Sequence, residues 1–72
     1  MRNKVNDIKL QYPAGTRIVM DQMEPKEPRP IPPGTKGTVH HVDDIGQIHC
    51  DWDNGRYLAA VPEVDKFHIV TD

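Results

Sequence analysis

The 72-residue chain reads as a single mainly β domain, a small barrel or strongly bent sheet of about five strands behind a short N-terminal helix. Three features carry that reading. Short β-branched or alternating segments recur between turn residues, Asn54-Gly55 is a strong hairpin signal, and the chain is too short for more than one core. Curling such strands together removes exposed edges, which makes the closed or bent arrangement the economical one.

Val5, Ile8 and Tyr12 recur at helical spacing behind a possible Asn3 cap, predicting a helix or arm over 1–12 that ends by Pro13. Residues 13–72 supply the β domain. Gly15 lets the chain turn into the β-branched strand Arg17-Ile18-Val19-Met20. From Asp21 to Thr35 five prolines (Pro25, Pro28, Pro30, Pro32 and Pro33) favour extended backbone and cannot donate to a sheet, so 21–35 is a long, semi-rigid loop.

A second strand is expected over Lys36–Val42 and a hairpin loop over Asp43–Gly46. With four loop residues, His40 would face His49. Gln47–Trp52 alternates perfectly, placing Ile48, Cys50 and Trp52 on the core face. A two-residue Asn54-Gly55 turn would pair Trp52 with Tyr57, whereas a three-residue Asp53-Asn54-Gly55 turn would bring Leu58 and Ala60 inward; both registers are open. Pro62 stops the fourth strand, and Phe67–Val70 is the fifth, with Phe67 and Ile69 inward. The arrangement predicted is an SH3-like barrel.

Nine basic against eleven acidic residues give a net charge of −2, which disfavours a nucleic-acid partner. The start carries charges among its apolar residues, unlike a secretion signal or membrane span, so a cytoplasmic protein without membrane contact is expected. The single cysteine, Cys50, can form no disulfide within the chain, and so small a domain makes self-association a further expectation.

Tyr12-Pro13-Ala14-Gly15-Thr16-Arg17, Ile31 through Val39, Trp52-Asp53-Asn54-Gly55 and Val61 through Phe67 together resemble a domain-of-unknown-function family of small proteins from Firmicutes, their phages and mobile elements. The resemblance covers nearly the whole chain and implies no activity or functional residues. The Gly-Thr-Val segment and the Trp-Asp-Asn-Gly turn are also similar to Mind-bomb-type SH3-like repeats, which would imply peptide binding.

No grouping of nucleophile, base and orienting residue points to an enzyme, and no cofactor motif is present. The histidines and Cys50 split between faces, so no metal site is expected; Asp53 lies where Arg56 can neutralise it. The candidate binding residues are Arg29, Pro30 and Pro32 in the long loop, Lys36 after it, and Trp52, Arg56 and Tyr57 at the last hairpin. There an aromatic rim could sit beside planar cationic groups. The expected function is non-catalytic binding: foremost a host protein or peptide, as a phage-type or mobile-element accessory protein that inhibits host defence. A small anionic ligand such as a nucleotide signal, held between Arg17, Arg29, Lys36 and Arg56 of associated barrels, is the second expectation, and a nucleic-acid accessory role the third.

Overall fold

The computed structural model describes residues 2–24 and 29–71, so the expectations for Pro25 and Pro28 lie outside the described residues. A helix, α1 (Arg2–Gln11), precedes five strands: β1 (Arg17–Gln22), β2 (Lys36–Val42), β3 (Ile48–Trp52), β4 (Tyr57–Ala60) and β5 (Lys66–Ile69). All pair antiparallel in one sheet with the order β4-β3-β2-β1-β5. The mainly β reading with one short N-terminal helix is correct. Strand β1 runs two residues beyond its expected end, because Asp21 and Gln22 continue alongside β5 past a register shift.

Alternation decides what is buried. Ile18 and Met20 of β1, Val39 of β2, Ile48, Cys50 and Trp52 of β3, and Ala60 of β4 form one core. Ile8 of α1 and Tyr12 just after it cover the core in part, as their spacing requires. Tyr12 also meets Phe67 edge to face, 5.7 Å between ring centroids. Ile69 stays 39% exposed because β5 is an edge strand whose inner face is only partly covered.

Both open questions of hairpin register have answers. Trp52 N–H donates to Arg56 O at 2.8 Å and Gly55 N–H to Trp52 O at 3.0 Å, leaving Asp53-Asn54-Gly55 as a three-residue loop. Cys50 then pairs with Leu58 and Ile48 with Ala60. Only Gly55 needs a left-handed backbone (φ 87°), as the third position of such a loop does. The β2–β3 hairpin is built alike: Asp43 N–H donates to Gln47 O at 3.0 Å, and Gly46 has φ 84°. The expectation that His40 faces His49 is therefore corrected. A shift between Val39 and His41 makes His40 the extra residue of a bulge, so His41 pairs with His49.

The proline-rich loop is fastened to the body. Gly34 N–H donates to Met20 O at 2.7 Å and Met20 N–H to Thr35 O at 2.9 Å, extending the β1–β2 ladder to the foot of the loop. Met23 and Ile31 dip into the core, and Ile31 N–H reaches the Met23 sulfur at 3.2 Å. Asp65, 5% exposed, accepts from Glu24 N–H and Val61 N–H, both at 2.8 Å, tying the start of the loop to the β4–β5 corner.

Candidate functional site

The loop and the last hairpin do meet. Arg56, just before β4, sends its guanidinium to the backbone carbonyl of Arg29, so the returning limb of the loop lies against the hairpin. Arg29 is exposed, Pro30 half-buried and Pro32 exposed. Lys36 is exposed at the start of β2, and its carbonyl accepts from Asp53 N–H at 2.9 Å.

Asp53 is not neutralised by Arg56. Its carboxylate takes both arms of the Arg17 fork, at 2.8 and 2.7 Å, and Arg17 also donates to Thr38 Oγ1 at 2.9 Å. The Arg17 hydrogen bonds hold the Asp53 carboxyl below its ordinary range against some desolvation, with the charges of Arg17 and Lys36 adding to the effect. Arg17 faces Thr38 across β1 and β2, next to the ladder position where β2 passes Trp52; a partner this far away leaves no local signal in the residue pattern. Arg17 and Lys36 thus meet Asp53 in the β3–β4 loop, and Arg56, the next residue after that loop, meets the Arg29 backbone.

Trp52 is not part of that rim. It is 3% exposed, its ring lies flat over Gly37, and its indole N–H donates to Leu58 O at 2.9 Å. The same alternation that puts Ile48 and Cys50 inside carries Trp52 with them, and Gly37 opposite leaves room for the ring.

Tyr57, half-exposed, joins a different group. The bulge turns His40 toward His41, with their Nδ1 atoms 2.7 Å apart; His41 stacks on His49 at 4.3 Å, and Tyr57 lies 5.8 Å from His40 and 6.1 Å from His49, ring to ring. His49 Nε2 lies 2.8 Å from Asp43 Oδ2. Desolvation works against ionised Asp43, but the hydrogen bonds from His49 and from the amides of Gln47 and Ile45 prevail and hold its carboxyl below the usual range. Among the described residues no three of these side chain types are grouped to hold a metal ion. Burial, with the Asp51 charge adding, pushes the Cys50 thiol up to about 12, which leaves it a core group and not a nucleophile at neutral pH.

At the opposite end of β3 lies a feature the sequence reading missed, an apolar groove of about 330 Å³ lined by Val5, Ile8, Ile45, Gly46, Val61 and Pro62. Its one advance signal is Ile45, an isoleucine at a turn apex.

A small mainly β domain, one antiparallel five-stranded sheet behind a short N-terminal helix, is the class that the fold defines. The family model described as "Domain of unknown function (DUF4314)" matches residues 1–70, and the chain belongs to that family. Neither curated proteins nor solved structures yield a match. Among the described residues no helix is long and apolar enough to cross a membrane.

Proposed function

We propose that this chain is a non-catalytic binding protein whose basic end docks an acidic segment of another protein. The observation that carries the reading is the Arg56 contact to the Arg29 carbonyl, which lays the returning limb of the loop against the hairpin that holds Asp53, where Arg17 and Lys36 also meet it, on a chain of net charge −2. Guanidinium groups offer planar forks to carboxylates, and basic residues fixed on a sheet end and a braced loop lose little freedom when they bind. We read the strand order, with its long loop between β1 and β2, as SH3-like, an arrangement in which such a loop faces a ligand.

The resemblance to small proteins of Firmicutes, their phages and mobile elements makes a host protein in the cytoplasm the partner we propose, and inhibition of a host defence the purpose. A small anionic ligand is the second reading, favoured by the same convergence of cationic groups, since a phosphate would use it as a carboxylate does. A nucleic-acid role ranks third, since the net charge opposes it.

Affinity capture from host lysate, with mass spectrometry of both the protein and the small-molecule fractions, identifies the partner. Calorimetric titration of that partner then compares Arg29→Glu/Arg56→Glu with Asp43→Lys/Asp44→Lys. The arginine reversals are expected to weaken binding far more than the aspartate reversals. Unchanged affinity in a folded arginine variant removes the basic end from the reading.

A further inference from the structure

The two three-residue hairpin loops share one backbone plan but differ at the apex. Asp53-Asn54-Gly55 has asparagine there, a residue at home in turns, whereas Asp44-Ile45-Gly46 has Ile45, 74% exposed. Nothing in the turn asks for an isoleucine. Ile45 projects from the lip of the apolar groove between α1, this loop and the β4–β5 corner.

We infer that this face is a two-fold interface in which Ile45 of each copy enters the groove of the other. An isologous contact needs one patch that is complementary to itself, with a projection and a recess side by side and charges of both signs. The patch has all three. The groove holds about 330 Å³, ample for one isoleucine side chain, and Val5, Ile8 and Val61 give it apolar walls. Around it, Lys4 lies 4.0 Å from Glu63 and Lys9 3.3 Å from Asp44, two cations and two anions that a two-fold axis can exchange between copies without bringing like charges together. This balance favours a second copy over a partner of one charge sign. Burial of exposed Ile45 also adds to the small core that 72 residues can build. The interface sits at the opposite end of β3 from the basic end, so the inference does not rest on what that end binds.

Sedimentation of the full chain across roughly micromolar to millimolar concentrations tests it. The expected mass rises from 8.2 kDa toward twice that value. Ile45→Asp, and Ile45→Asn as the residue the sister loop carries, should raise the dissociation constant about tenfold or more, as removal of a central anchor does. Because Ile45 is exposed, dilute variant and parent should melt alike. Methyl resonances of Val5, Ile8 and Val61 should move with concentration in the parent and stay fixed in Ile45→Asp. A monomer throughout the range overturns the inference, and so does an association that both Ile45 variants leave intact.

Discussion

Gly37→Ala is expected to be among the most damaging single-methyl changes in the sheet. A β-carbon at Gly37 would lie 2.6 Å from Trp52 Cε3, 2.9 Å from Cδ2 and 3.0 Å from Cζ3, well inside contact distance with a ring that is itself 3% exposed. The ring cannot simply lift. Its indole N–H is held by Leu58 O at 2.9 Å, and Ile48, Cys50 and Ala60 fill the same core. Overpacking of this kind costs about 1–3 kcal/mol. Loss or distortion of the indole hydrogen bond adds about 1 kcal/mol. The reduced freedom of the unfolded chain returns about 0.4–1 kcal/mol. The net loss is about 1–3.6 kcal/mol, and at about 4–8 °C per kcal/mol for a domain of this size the melting temperature should fall by roughly 4–29 °C. Calorimetry measures the fall. Because Trp52 is the single tryptophan, its fluorescence reports the packing directly and should shift to longer wavelength. An unchanged melting temperature with unshifted emission would refute the argument that the glycine exists to seat the ring.

Three further outcomes follow from the same structure. Asp65→Ala leaves the Glu24 and Val61 amides without their carboxylate and should cost about 3 kcal/mol, with faster hydrogen exchange at those two amides; unchanged exchange would show that the staple carries no stability. Gly55→Ala should cost about 1 kcal/mol and Asn54→Ala distinctly less, because of these two residues Gly55 alone has positive φ; denaturant melts that rank them the other way would contradict the three-residue loop. Asp43, its carboxyl held below the ordinary value, contributes stability that is full above the unfolded carboxyl range of about 4 and is lost as pH falls through its folded value. Asp43→Asn should therefore flatten acid unfolding below about pH 4, and equal slopes in parent and variant would exclude that role.

Much of the fold was legible because its signals are local. Strand β2 occupies the residues expected of it, Pro13 follows the helix end, and perfect alternation marked Ile48, Cys50 and Trp52 as one buried face. Its place beside a hairpin turn equally suits Trp52 to a solvent-facing rim; what decides against it is Gly37 on the neighbouring strand, a contact invisible to spacing. The bulge at His40 was equally hidden. It adds one residue without a compositional mark, and that residue moves the partner of His49 from His40 to His41. The anchoring of the loop by Met23 and Ile31 has no periodicity to announce it, one apolar side chain lying just before the proline-rich stretch and the other inside it, between Pro30 and Pro32. Arg17 and Asp53, far apart in sequence, could be paired only once β1, β2 and β3 were placed side by side.

These non-local contacts bear directly on how the basic end can bind. The loop leaves the sheet under the Asp65 staple at Glu24 and returns under the Arg56 contact at Arg29, with Met23 and Ile31 sunk in the core between those fastenings and the sheet. Both described limbs are therefore positioned before any partner arrives, so the ordering cost of docking on them, about 0.5–1.5 kcal/mol for each flexible side chain immobilised, falls on the side chains rather than on the backbone. Arg56 then has two tasks, bracing Arg29 and presenting charge, and Arg56→Lys separates them. Lysine keeps the charge but lacks the planar fork, so a partner that reads charge alone should bind the variant almost as well as the parent. A partner that depends on the braced loop or on a bidentate contact should bind it about tenfold more weakly, the effect of losing about 1.4 kcal/mol. Equal losses for Arg56→Lys and Arg56→Glu would place the recognition in the fork itself, and no loss in either would exclude Arg56 from the contact surface.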